Sequence, residues 1–285
     1  MPCGRRDMGA GCGSGWHTRT MSSGASEGPG TAGRADVTAG NRAGRKDAGR
    51  LPRRWLLARA VLRAATRLYS RVRLDGLENL PDGPSILCFS HQNWADPFYL
   101  CGTLPKVPPV YFFGPEQEDM KSGVRNRIMY WSGIVVPFQP AKRGLVAATR
   151  RAESLVAGGA TIAIAGEGRI HSGESELLRL LDGPAYLALR TGVPVVPVAI
   201  NGTGWLGFRR LVRVRFGTPF LSAVGAGTAQ RDEVEATTAR LWVGLHTLLA
   251  DFPDRPAPRI VGRRLTELFN DWPEGARPPV PTRRE

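Results

Sequence analysis

Lysine is scarce in this chain. It occurs only at Lys46, Lys106, Lys121 and Lys142, although lysine and arginine together number 39 of 285 residues and leave a formal net charge of +14. The positive charge is therefore almost all arginine. It sits in an Arg-, Ala-, Gly- and Pro-rich composition that GC-rich coding also produces, so its weight as a functional sign is discounted. What survives the discount favours an anionic partner: nucleic acid, lipid headgroups or phosphorylated compounds. Cysteine is also sparse. Cys3, Cys12, Cys88 and Cys101 show no CxxC spacing, which argues against a disulfide framework and a zinc site and for a reducing compartment. Histidine is confined to His17, His91, His171 and His246, too few for a histidine-rich metal site. No apolar run reaches the roughly 18 residues of a membrane span. The first fifty residues hold no signal-peptide core. A soluble protein, or one lying on a membrane surface, is expected.

The apolar content of 42% is enough for a sizeable core. Residues 1–50 are rich in Gly, Ala, Ser, Thr and Arg and are expected to form a disordered basic tail. Residues 51–80 read as an amphipathic helix and lead-in. At 100° per residue Trp55, Leu57, Ala58, Val61, Leu62, Ala65, Leu68, Tyr69 and Val72 fall on one face, and Arg59, Arg63, Arg67 and Arg71 recur on the other. Such a helix either docks on its own domain or lies in a membrane interface with its arginines toward phosphates. Residues 81–252 alternate apolar runs with helical segments. SILCFS, VPPVYFFG, GIVVPF, TIAIAGEG, VPVVPVAI and RLVRVRFG read as strands. WADPFYLCGTL, SGVRNRIMYWSG, Arg143 to Ala157, SELLRLLDGPAYLALRTG (with a candidate break near Gly183-Pro184) and Arg231 to Ala250 read as helices. This alternation predicts an α/β fold, a mostly parallel mixed sheet covered by helices. Residues 253–285 form a Pro- and Arg-rich tail with a short helix over Gly262 to Trp272.

Three stretches carry chemistry. In FSHQNWADPFYL, His91 follows a buried-looking strand and Asp96 stands five residues on. Ligands of open α/β sheets sit at the carboxyl ends of strands, and imidazole suits proton transfer near neutrality. On one continuous helix the pair would lie about 140° apart. They meet only if Gln92 to Ala95 turn ahead of a helix opened by Pro97; otherwise His91 is a loop histidine without a role. In IAIAGEGRIHSGES, an apolar strand runs into Gly166-Glu167-Gly168, followed by Arg169 and His171. The glycines admit close backbone approach to a ligand, and the alternative is a plain strand-to-helix turn. In PFQPAKRG, Lys142 and Arg143 precede a helix and suit a phosphate, or else form a solvated basic turn.

Other motifs are declined. Gly202, Gly204 and Gly207 have GxGxxG spacing, but a strand-like segment follows where a dinucleotide site needs a helix. Asn201-Gly202-Thr203 is a glycosylation sequon without a secretion signal. The GxSxG spacing at Gly24 to Gly28 lies in the tail with no strand before it, so it is no nucleophile elbow, and there is no P-loop lysine.

Taken in order, these blocks resemble the glycerolipid acyltransferases of the 1-acylglycerol-3-phosphate acyltransferase family. His91-Gln-Asn-Trp-Ala-Asp96 matches the family's HxxxxD block with Asp-Pro-Phe, Glu167-Gly168 its acidic-glycine block, and Val193 to Ile200 its proline-containing strand. The lead-in VRLDGLENLPDGPSIL is similar too, so the resemblance runs from about Val72 to Phe220. Gly166 stands where the family usually has proline. Arg169 comes one place early, and Gln139-Pro140 stand where an arginine is usual, so Lys142 or Arg143 must substitute. The resemblance implies a glycerol-3-phosphate acyltransferase-like fold and transfer of a fatty acyl group from acyl-CoA or acyl-ACP to a lyso-glycerolipid hydroxyl. His91 and Asp96 would be catalytic, and Glu167, Gly168, Arg169, Lys142 and Arg143 would bind substrate, with Glu167 holding acceptor hydroxyls or bracing the loop and backbone N–H groups near Gly168 stabilising the oxyanion or positioning a phosphate. Arg59, Arg63, Arg67 and Arg71 would meet an anionic membrane surface on the cytoplasmic face. Neither metal nor cofactor is expected, and no nucleic acid. The alternatives are another lipid acceptor, such as a lyso-ornithine lipid or glycolipid, and a non-catalytic lipid-binding homologue.

Overall fold

Short runs of branched aliphatic residues, punctuated by Gly, Pro and Asn, build the sheet of this protein. The computed structural model describes residues 53–106, 108–115, 130–138, 142–171, 173–221 and 229–270. The expected disordered tail over 1–50, most of the basic helix expected over 122–133 and everything past 270 lie outside the described residues. The strands are β1 Arg71–Asp75, β2 Ile86–Phe89, β3 Val110–Pro115, β4 Val135–Phe138, β5 Thr161–Ala165, β6 Val195–Asn201 and β7 Leu211–Phe216. The helices are α1 Arg53–Tyr69, α2 Asp96–Thr103, α3 Lys142–Ala157, α4 Gly183–Thr191, α5 Arg231–Leu249 and α6 Ile260–Phe269. One sheet runs β1-β7-β6-β2-β5-β3-β4. Every neighbouring pair is parallel except β6 with β7. The expected mostly parallel mixed sheet covered by helices is thus the observed architecture.

Burial explains the order. Every residue of β2 and β6 is buried, as a central strand covered on both faces requires. In β7 burial alternates residue by residue. Ile86, Leu87, Ile162, Val196, Val198 and Ile200 are almost wholly shielded. Each such side chain contributes about 1.5–3 kcal/mol, so the loops after β2, β5 and β6 hang from the firmest part of the molecule.

Three expectations are corrected. The first concerns the arginine-striped helix. It forms, but the helical period stops at Tyr69, and Arg71-Val-Arg-Leu-Asp75 is a strand paired with β7. The apolar arc does not dock as a unit: Trp55 and Ala58 are buried, whereas Leu57, Val61 and Leu68 are exposed. The second concerns Arg59, which is buried with its guanidinium donating to the Leu104 carbonyl. It thereby caps the carboxyl end of α2, where a cation also meets the negative end of the helix dipole. Arg59 is unavailable to a membrane, Arg63 is half-buried, and Arg67 and Arg71 are exposed. The third concerns Ser175-Glu-Leu-Leu-Arg-Leu-Leu181, which is not helical. The Leu178 and Leu181 N–H groups donate to the Glu167 carboxylate and the Gly166 carbonyl, and these tertiary bonds replace a local helix. The helix begins only at Gly183-Pro184, with proline in its first turn.

Candidate active site

Phe89 of β2 and Ala165 of β5 are register partners on parallel strands. The residues two further on, His91 and Glu167, therefore leave the sheet side by side at its carboxyl edge. Beyond His91 the chain turns at once. The Gln92 and Asn93 N–H groups both donate to Asp96 Oδ2, at 2.7 and 2.8 Å. Asn93 Oδ1 accepts the Ala95 N–H at 2.8 Å, and the Asn93 carbonyl accepts the Asp96 N–H at 2.9 Å. This is the turn that the five-residue spacing demanded, and α2 opens from it on Pro97.

His91 Nδ1 lies 3.0 Å from Asp96 Oδ2. The aspartate side chain is wholly buried and the histidine side chain 11% exposed. A carboxylate only accepts, so Nδ1 carries the proton and the Nε2 lone pair is left for an incoming group. The rings of Phe89 and Trp94 stand edge-on to the imidazole at 5.7 and 6.1 Å and hold its plane. The expected His91–Asp96 pair is assembled.

Glu167 takes a role other than contacting substrate. Its side chain is fully buried. Oε1 accepts the His91 N–H at 3.2 Å and Oε2 the Leu178 N–H at 3.3 Å. His171 Nε2 faces Oε2 at 2.8 Å. Burial works against charge on His171, but Glu167 beside it, with Asp96 and Glu176 beyond, outweighs that and raises its pKa above the ordinary imidazole value. Glu167 thus braces the loop behind His91 and cannot face an acceptor hydroxyl. Gly168 is exposed at φ +65°. Its N–H donates to the Ala165 carbonyl at 3.3 Å, closing the turn and withdrawing that N–H as an oxyanion donor. Gly166 lets the turn press on β2: an added Cβ would sit 2.7 Å from Cys88 Sγ. Arg169 is exposed beside this turn. Lys142 and Arg143 open α3, and their side chains lie outside the described residues.

A second layer was not legible in the motifs. Gln92 Nε2 donates to the Gly173 and Glu174 carbonyls at 3.0 and 2.9 Å, and Asn93 Nδ2 to the Thr203 carbonyl at 2.8 Å. Asn270, directly after α6, accepts the Trp94 N–H through Oδ1 at 2.9 Å and donates through Nδ2 to the Gln92 carbonyl at 3.4 Å. Glu174 Oε2 accepts the Gly202 N–H at 2.6 Å. Burial pushes the Glu174 carboxyl up to about 7, against the N–H bonds of Gly202 and Gly204, which favour its charge. The carboxyl edge of β2, β5 and β6 therefore forms one fastened polar network, with the His91 imidazole edge as its partly open member.

Residues 71–201 match the acyltransferase family model, so the domain that carries this histidine–aspartate pair is an acyltransferase domain. A chloroplastic 1-acyl-sn-glycerol-3-phosphate acyltransferase of Brassica napus is 32% identical over 149 residues, covering 51% of this chain and 42% of that protein. A 1-acyl-sn-glycerol-3-phosphate acyltransferase of Pseudomonas aeruginosa is 26% identical over 197 residues, covering 62% of this chain and 70% of that protein. The crystal structure of the 1-acyl-sn-glycerophosphate (LPA) acyltransferase PlsC from Thermotoga maritima shares the fold, with TM-score 0.53 at 23% identity over 70% of this chain and 81% of that one. The chain spans about two fifths of the length of the plant relative. Over residues 71–201 the chain carries an acyltransferase-family domain, and it is similar there to 1-acylglycerol-3-phosphate acyltransferases.

Proposed function

We propose that the protein transfers a fatty acyl group from an acyl thioester to the free hydroxyl of a 1-acylglycerol-3-phosphate, a step of phospholipid biosynthesis. The observation that carries the reading is the buried Asp96 carboxylate 3.0 Å from His91 Nδ1, which leaves Nε2 as the base. Nε2 takes the hydroxyl proton as the oxygen attacks the thioester carbonyl, and Asp96 stabilises the imidazolium that forms. The tetrahedral intermediate collapses to the ester, and the thiolate leaves and takes the proton from His91. No acyl-enzyme is required. Glu167 and Asn270 act as positioning residues through the backbone of the loop. Arg169, Lys142 and Arg143 are the cations proposed for the acceptor phosphate.

No helix of the described residues is long and apolar enough to cross a membrane. The exposed Leu57 and Val61 of α1, with Arg67 and Arg71 nearby in sequence and also exposed, support seating of this helix in an anionic membrane interface, on the cytoplasmic face. The testing assay is thiol release from palmitoyl or oleoyl coenzyme A, or from the acyl carrier protein thioester, with lysophosphatidic acid as acceptor. Release by the wild-type chain and none by His91→Ala, with unchanged circular dichroism, is expected. Equal release by both would end the reading.

A further inference from the structure

The most exposed large apolar side chains among the described residues are not scattered. Leu68, Phe208, Ile260, Val261 and Leu268 are each 71–78% exposed. They come from three elements that are tied together. The Phe208 ring meets Tyr69 of α1 edge-on at 6.2 Å, and the Arg209 N–H donates to the Tyr69 carbonyl at 2.6 Å. On the other side, the Leu206 N–H donates to Thr266 Oγ1 of α6 at 2.8 Å. Gly262 lies so close to the Leu206 carbonyl that a Cβ there would come within 2.7 Å. Thus α6 turns Gly262 and Thr266 inward and Ile260, Val261 and Leu268 outward.

The turn that presents Phe208 is held under strain. The Arg210 N–H donates to the Gly207 carbonyl at 3.1 Å, and Arg209 adopts φ +59°, a region that non-glycine residues avoid. The backbone thereby holds an aromatic ring outward at the tip of a tight turn. Among the described residues the exposed charge flanking these apolar groups in sequence is mostly arginine. Arg67, Arg71, Arg209, Arg259 and Arg264 are exposed around these apolar groups, and the acid on α6, Glu267, is already paired with Arg263 at 3.1 Å.

We propose that Phe208, with the outward face of α6 and Leu68 at the end of α1, is a docking surface for an anionic phospholipid bilayer, Phe208 entering between headgroups and the arginines meeting phosphates. A solvated apolar patch rimmed by arginine matches a surface that is apolar below and anionic above. This surface continues the exposed α1 face of Leu57 and Val61, which Leu68 shares, and adds elements beyond residue 201, where the match to the family model ends. It also bears on the site. Asn270, at the end of α6, bonds the backbone of the loop that carries His91. Docking through α6 therefore brings that loop to the bilayer surface, and this consequence rests on the lipid-acyl-transfer reading above.

The experiment is co-sedimentation of the full chain with phosphatidylcholine vesicles, with and without phosphatidylglycerol. It compares wild type, the triple variant Phe208→Ser/Val261→Ser/Leu268→Ser and a control, Leu145→Ser/Val146→Ser, which alters exposed apolar residues of α3. Circular dichroism verifies folding. Wild type and control should bind the anionic vesicles at least about tenfold more tightly than the triple variant. Thioester turnover is read in parallel, on acceptor presented in vesicles and in detergent; the triple variant should lose the first and keep the second. Unchanged vesicle binding by the triple variant, or equal loss in the control, overturns the docking surface. So does a wild-type dimer in solution that the triple variant dissociates, because a second copy would then be the occupant. Vesicle binding that depends on these residues, without turnover by the wild type on any acceptor, upholds the docking surface and defeats the acyl-transfer reading instead.

Discussion

Asp96 serves the fold and the chemistry through one oxygen, and two substitutions separate the roles. Oδ2 accepts the Gln92 and Asn93 N–H groups and faces His91 Nδ1, while Oδ1 is buried without a hydrogen-bond partner. Asp96→Ala orphans two buried N–H donors. At about 1–3 kcal/mol each the loss is about 2–6 kcal/mol, and at about 2–4 °C per kcal/mol the melting temperature falls by about 5–20 °C. Asp96→Asn keeps an oxygen where those donors point and places its amide N–H groups where Oδ1 was. Its stability cost is smaller, about 1–2 kcal/mol. Its catalytic cost is not small. The bond to His91 loses its charge, and the imidazolium formed in transfer loses its counter-charge. A difference of about 1–3 kcal/mol between charged and neutral partners lowers kcat by about 10- to 100-fold. Thermal melts by circular dichroism and thiol-release kinetics read the two effects separately. An Asp96→Asn enzyme at wild-type rate, or an Asp96→Ala protein that melts with Asp96→Asn, would refute the reasoning.

Further outcomes follow from the second layer. Asn270→Ala should lower kcat about tenfold with little change in KM, because it frees the Trp94 N–H behind His91, at about 1 kcal/mol or more; Asn270→Asp, which keeps the acceptor, should restore most of the rate, and equal rates in the two variants would count against the role. Glu174 is raised from 4.5 to about 7 in the fold. A carboxyl shifted upward costs stability as pH rises from its unfolded to its folded pKa, in all about 3 kcal/mol here. Glu174→Gln should therefore gain melting temperature relative to wild type between pH 5 and pH 8, and a constant difference across that range would contradict it. Arg59→Gln should lower the melting temperature and leave vesicle binding intact, whereas Arg67→Gln/Arg71→Gln should weaken vesicle binding without changing the melt; the reverse pattern would undo the assignment of Arg59 to the cap of α2.

What was legible in the sequence was local. The strands β2 to β7 are short apolar runs whose boundaries are Gly, Pro and Asn, and their alternation with helices sufficed for a parallel sheet. Spacing alone left His91 and Asp96 open between a working pair and a loop histidine, and the ordered blocks of the family resemblance decided it; the turn before Pro97 brings the two together. The misreadings came from tertiary partners. Nothing in LLARAVLRAATRL says that Arg59 turns inward, since its destination, the Leu104 carbonyl, is 45 residues away. Ser175 to Leu181 has helical composition, but its N–H groups find Glu167 and Gly166 first. The strand β1 did carry a signal, arginine alternating with valine and leucine at period two, hidden behind the stronger helical period. Asn270 carried none: a polar residue after a short amphipathic helix is ordinary until that helix is folded against the loop of His91.

Two histidine–carboxylate pairs stand at the same edge, and their difference supports His91 as the proposed base. His171 and Glu167 lie 2.8 Å apart, with side chains 5% and 0% exposed. The neighbouring carboxylates raise the His171 pKa above the ordinary imidazole value, and its Nε2 faces Glu167 inside the fold. The stability it supplies is complete below the unfolded imidazole pKa and is lost as pH rises through the raised folded value. Asp96 faces the His91 ring, and His91, with its edge partly open, is the imidazole placed to exchange a proton with something outside the fold.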